Sequence, residues 1–164
     1  MTADERFAQR PGELRLGFDP AAQAEAGVVF IGRARTPWRP GDCPKNPRAA
    51  RERGQGARLE IDAPYRIGLE GVAVGDALVA LYWMHGAPRD LIRQHPGHRD
   101  SPAGVFALRS PARPNPIGMG VVICTGLDAG AGVIEVDALD CWDGTPLIDL
   151  KPWLPTVDAP LDRG

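Results

Sequence analysis

Two stretches of this 164-residue chain concentrate the side chains able to do chemistry. The first runs from Val105 to Met119 and carries Arg109 and Arg113 beside Pro111, Pro114, Asn115 and Pro116. Proline fixes φ and restricts the residue before it, so the loop is stiff. Polar groups on such a loop are ordered at folding, which suits a binding site. The plainer reading is a rigid surface turn with solvated arginines. The second stretch, Leu139 to Pro155, sets Asp140, Asp143 and Asp149 among Cys141, Trp142, Lys151 and Trp153. Carboxylates and aromatic faces together suit a ligand with a delocalised or sulfonium cation. Against this, Asp140 and Asp143 are also the residues expected to cap turn backbones. A third segment, Arg35-Thr36-Pro37-Trp38 followed by Pro40 to Pro47, reads on composition as a surface connection.

All three histidines, His85, His95 and His98, lie in one region with Arg89, Arg93, Arg99, Arg109 and Arg113, opposed only by Asp90 and Asp100. This is either a phosphate-facing patch or a solvated face. His95-Pro96-Gly97-His98 is not read as a metal pair, because Pro-Gly makes a turn and no third ligand is near. No metal is expected. Cys43, Cys124 and Cys141 are widely spaced and form no C-x-x-C, which argues against a disulfide framework and for reduced thiols in a cytoplasmic protein. The whole chain is near neutral, 19 basic against 21 acidic residues, unlike a generic polyanion binder. Neither a membrane-spanning apolar run nor a secretory leader is read.

The elements that position these residues are short. Gly and Pro are spread along the chain, marking many turns. Residues 1–26 read as an irregular extension, with a brief helix over Ala21 to Ala26 capped by Asp19 and begun by Pro20. Strands are expected at Val28 to Ile31 (stopped by Gly32), Ala57 to Ile61, Gly104 to Leu108, Gly120 to Thr125 and Val133 to Leu139. Ala77 to Trp83 is a continuous apolar run, consistent with a strand buried on both faces, although periodicity alone does not separate it from a short helix. Asp128 to Gly132 is a hairpin loop, and Pro88 to Gln94 is the best helix candidate in this half. The pattern is all-β and mainly antiparallel, a barrel or a sandwich.

Several blocks occur together in a known order: Arg35-Thr36-Pro37-Trp38, Pro44-Lys45-Asn46-Pro47, Gly68-Leu69-Glu70-Gly71, Arg109-Ser110-Pro111 with Arg113 to Gly118, and Asp143 to Pro146 with Asp149 to Pro152. Over about Val28 to Asp158 the chain resembles the TsaA-like (TrmO-type) methyltransferases. The resemblance implies a small β-barrel domain at 27–158, a homodimer, and S-adenosylmethionine as cofactor, with N6 of threonylcarbamoyladenosine beside the tRNA anticodon as acceptor. Consistently, no G-x-G-x-x-G follows a strand. Carried over by motif, the cofactor walls are Lys45, Asn46 and Pro47, then Met84 and His85, then Arg109 and Met119, then Asp140, Cys141, Trp142 and Asp143. Arg113, Asn115 and Lys151 fall on the acceptor side. Asp140, Asp143 and His85 are the candidates for removing the acceptor's proton. The family often has His where Ala112 stands and Arg-Gln-Pro in place of Lys45-Asn46-Pro47. Two other readings stand beside this one: a non-catalytic cofactor-binding module, and methylation of a different acceptor.

Overall fold

The computed structural model describes residues 8–160, which hold nine strands. They are β1 (Leu14–Arg15), β2 (Gly32–Arg35), β3 (Ala57–Ile61), β4 (Ala77–Trp83), β5 (Leu91–Gln94), β6 (Ala103–Gly104), β7 (Ile117–Asp128), β8 (Val133–Val136) and β9 (Pro146–Pro152). The chain divides into two compact units, one of Val29–Trp83 with Gly118–Gly164, the other of Met1–Val28 with Met84–Ile117.

The larger unit is a closed antiparallel barrel in the order β2-β3-β8-β7-β4-β9. Closure leaves no strand edge open to other chains. Its interior is filled by alternate residues of each strand: Leu59 and Ile61 from β3, Leu78, Ala80 and Tyr82 from β4, Val122 and Cys124 from β7, Ile134 and Val136 from β8, and Leu147 from β9. β7 and β8 form the expected hairpin, its loop closed by Asp128 accepting from the Ala131 amide and by Gly132 at φ 75°. The smaller unit holds a three-stranded sheet, β1-β5-β6. Within the N-terminal stretch Leu14–Arg15 pairs with β5, and the Asp19 carboxylate caps the 3-10 turn Pro20–Gln23 by accepting from the Ala21 amide.

The fold class is all-β, as the patterning predicts, but several elements differ. Val28, Val29 and Phe30 are exposed, and the first barrel strand begins at Gly32 instead of ending there. The reason is a close crossing: a Cβ on Gly32 would lie 1.9 Å from the Glu60 carbonyl oxygen, so glycine starts the strand. Pro88 to Gln94 contains no helix, since Leu91–Gln94 is drawn into the sheet between β1 and β6 and buries Leu91 and Gln94. Gly104 to Leu108 is mostly a 3-10 turn, Val105–Ala107, with only Ala103–Gly104 in a strand. β4 is a strand, yet only one face is buried: Leu78, Ala80 and Tyr82 point inward while Val79, Leu81 and Trp83 are half-covered. In the β7–β8 hairpin, β7 extends beyond Gly120 to Thr125 at both ends, and β8 stops at Val136.

Candidate functional site

In the barrel unit, two loops distant in sequence are joined into one. The Trp38 indole N–H donates to the Leu139 carbonyl at 2.6 Å, and the Asp143 amide returns a bond to the Trp38 carbonyl at 2.9 Å. The Thr36 hydroxyl donates to the Cys141 carbonyl, the Thr36 amide to the Asp143 carboxylate, and the Gly144 amide to the Ala34 carbonyl. Thus the segment that composition reads as a surface connection is the support of the acidic loop. Trp38 is 2% exposed and packs with Ala50, Ala138 and Cys43, while the Arg53 guanidinium lies 5.1 Å over its ring. Through Ala50 the same core holds the short helix Pro47–Glu52. Asn46 caps that helix, its carboxamide oxygen accepting from the Ala49 amide at 2.8 Å, and Pro47 fills the first turn, where no amide bond is lost. Lys45 is exposed beside it.

Asp140 is held by a residue that sequence reasoning passed over. The Tyr82 hydroxyl donates to Asp140 Oδ1 at 2.8 Å from a side chain 3% exposed. A buried tyrosine requires a partner for its hydroxyl, and the central strand's inward phase was the available signal. The ring lies flat on β7 because residue 118 is glycine: a Cβ there would sit 2.0 Å from the ring. Burial first, then the Asp140 charge, pushes the Tyr82 phenol far above its ordinary value and keeps it a donor. The same two causes push the Cys43 thiol up to about 12. Burial likewise raises the Cys141 thiol well above its usual range, against the opposing hydrogen bond from Thr145. Both thiols are protonated at neutral pH and are poor nucleophiles.

The two aspartates of the loop have different surroundings. Asp140 meets Tyr82; Asp143 is exposed and, with Arg35, Thr36, Arg58 and Glu135, lines an open depression of about 590 Å³. Trp142 is half-buried between them. Met119 stands on the outer face of β7, 45% exposed, and Lys151 pairs with Asp149 at 2.8 Å.

The remaining candidates belong to the smaller unit, where the Pro-rich loop is braced through its carbonyls. Gln94 donates to Ala112, Arg89 to Pro114, and the Met84 amide to Pro116. Arg89 also reaches the Asn115 side chain, and Arg113 donates to the carbonyls of Val105 and Leu108. Prolines contribute no amide donors, so such a loop depends on donors from elsewhere. Arg89 and Gln94 supply them; the sequence marks Arg89 only as part of the basic region, and nothing in it singles out Gln94. His85 and Arg109 are exposed. Among the described residues no cluster of three or more His, Cys, Asp or Glu is placed to hold a metal ion.

Residues 33–159 match the model of the tRNA-methyltransferase O N-terminal domain. The chain belongs to this family. It is 40% identical over 130 residues to a probable S-adenosyl-L-methionine-binding protein, VirR, of Rhizobium radiobacter, covering 79% of this chain and 72% of the relative. It is 33% identical over 136 residues to a probable S-adenosyl-L-methionine-binding protein of Methanothermobacter thermautotrophicus, covering 82% and 95%. The crystal structure of TrmO from Pseudomonas aeruginosa superposes with a TM-score of 0.65 at 29% identity over 86% of this chain. The chain spans 62% of the length of that TrmO chain.

Proposed function

We propose that this protein is an S-adenosylmethionine-dependent methyltransferase acting on N6 of threonylcarbamoyladenosine beside the anticodon of tRNA. Membership of the tRNA-methyltransferase O domain family supports the class of reaction. Within the barrel, the observation that carries the reading is the Asp140 carboxylate held by Tyr82 in a loop tied down by Thr36 and Trp38.

The residues present fit the cofactor. A preordered carboxylate suits its positive charge, and the half-buried Trp142 offers an aromatic face. S-adenosylmethionine supplies an electrophilic methyl group on a sulfonium. The protein's task is then chiefly to hold donor and acceptor in line. Tyr82 donating to Asp140 stabilises negative charge there, which suits a group that holds a cation. Proton removal from the weakly nucleophilic N6 falls to Asp143 or His85, with Asp140 the third candidate. The protonated thiols of Cys43 and Cys141 do not compete for the methyl group. In the barrel unit Lys45, Asn46, Pro47 and Met119 are assigned to the cofactor and Lys151 to the acceptor; in the smaller unit, taken by itself, Arg109 is the cofactor candidate and Arg113 and Asn115 are those for the acceptor.

The outward residues Met119, Val121 and Ile123 of β7 and Val79, Leu81 and Trp83 of β4 are apolar. Met119 and Ile123 are exposed and the other four half-covered, and an apolar face of this kind supports self-association as a homodimer; a monomer by sedimentation velocity at micromolar concentration refutes it.

The deciding experiment is mass spectrometry of the anticodon-loop nucleosides after incubating protein, S-adenosylmethionine and threonylcarbamoylated tRNA. Methylated threonylcarbamoyladenosine is expected. Unmethylated nucleoside alongside calorimetrically measured cofactor binding moves the acceptor elsewhere or leaves a non-catalytic binding module. No cofactor binding refutes the enzyme.

A further inference from the structure

We infer that Phe106 is a stacking platform for an unpaired base of an RNA loop, built into the smaller unit by the Pro-rich segment. The inference rests on the tRNA reading above and names a residue that reading does not use.

Phe106 is 85% exposed, more than any other large apolar side chain among the described residues. Its neighbour Val105 is fully buried, so the two are held in opposite directions by one 3-10 turn. That turn is fixed at both ends. The Leu108 amide donates to the Val105 carbonyl, and the Arg113 guanidinium donates to the carbonyls of Val105 and Leu108. On the upstream side Ala103–Gly104 pairs with β5, setting Arg93 opposite Gly104. A benzene ring therefore stands in solvent on a backbone with little freedom, and the ordering cost of presenting it is met at folding. Isolated exposed aliphatic residues need no explanation, but an aromatic side chain presented on a braced turn has the geometry of a stacking surface.

The charge of the segment that carries the ring selects the occupant. From Met84 to Ile117 the sequence holds five arginines and two aspartates; Asp90 is paired with Arg15, and Arg89, Arg93 and Arg113 keep their charge while donating to backbone carbonyls. The chain as a whole carries a formal charge of −2, so this segment is basic against the trend. Arginines attract phosphates, and an exposed ring accepts the π-face of any unstacked base; single-stranded RNA loops offer both.

The test is fluorescence anisotropy and 2-aminopurine quenching with an anticodon stem–loop carrying the probe in its loop, on wild type, Phe106→Ala, Phe106→Leu and Phe106→Trp. Expected are quenching by wild type, at least about fivefold weaker binding with loss of quenching in the alanine and leucine variants, and recovery in the tryptophan variant. Cofactor affinity by calorimetry should be the same in all four. Unchanged RNA affinity and quenching in Phe106→Ala, while wild type binds and methylates tRNA, overturns the platform and leaves the enzyme reading intact. A shift in sedimentation of Phe106→Ala with unchanged RNA affinity assigns the ring to a protein contact instead. A wild-type protein that binds cofactor but no RNA overturns both readings.

Discussion

At the residue scale, the Tyr82–Asp140 bond links the inside of the barrel to the acidic loop. Removing the hydroxyl leaves the carboxylate without that partner. Tyr82→Phe should cost about 1 kcal/mol of stability and weaken S-adenosylmethionine binding several-fold, read by thermal denaturation and calorimetry. Asp140→Asn keeps the shape and removes the charge. It should weaken cofactor binding by about tenfold or more, roughly the 1–4 kcal/mol of one charge pair near a protein surface. Equal affinity in Asp140→Asn and wild type refutes the electrostatic role of Asp140. The motifs made Asp140 and Asp143 candidates, but spacing alone did not separate them. Burial of Tyr82 on β4 does, because it reaches one of the two and not the other.

At the element scale, β7 shows why two of its three glycines stand where they do. A Cβ on Gly118 would enter the Tyr82 ring at 2.0 Å, and one on Gly120 would meet Leu139 at 3.1 Å. Gly118→Ala must displace a buried ring, an overpacking cost of roughly 1–3 kcal/mol. Its Tm should fall by roughly 2–12 °C, and its cofactor affinity should fall with it. An unchanged Tm in a melt of this variant shows that the ring moves freely. The strand at Leu91–Gln94 teaches the complementary lesson. Seven residues beginning with a proline carry too little periodicity to distinguish helix from strand, and pairing with β1 and β6 decides the matter. The same holds for Gly104 to Leu108, where the Arg113 guanidinium stabilises a turn that no local pattern announces.

At the scale of the whole molecule, Cys43, Cys141 and Tyr82 all titrate higher in the folded chain, chiefly through burial. A raised pKa of this kind contributes stability that is fully present below the unfolded value and is lost as pH rises towards the folded one. For Cys43 that window runs from 9.0 to about 12. Thermal stability should therefore be insensitive to these groups near neutrality and fall progressively above about pH 9, and Cys43→Ala should make the decline shallower. A Tm independent of pH in this range refutes the burial of these thiols. The all-β class, the β7–β8 hairpin, the capped turn at Asp19 and the stiffness of the Pro-rich loop follow from the sequence by itself, because each rests on local chemistry: alternation, glycine at positive φ, a side-chain cap and proline's fixed φ. The family resemblance was legible for the same reason, since its motifs are contiguous. Only the tertiary structure decided that Thr36 and Trp38 hold the acidic loop, that Tyr82 holds Asp140, and that Arg113 pins a turn presenting Phe106. The contacts of Thr36, Trp38 and Tyr82 join positions many residues apart through barrel closure, that of Arg113 spans a Pro-rich loop, and no local pattern encodes which buried hydroxyl or carbonyl will face which partner.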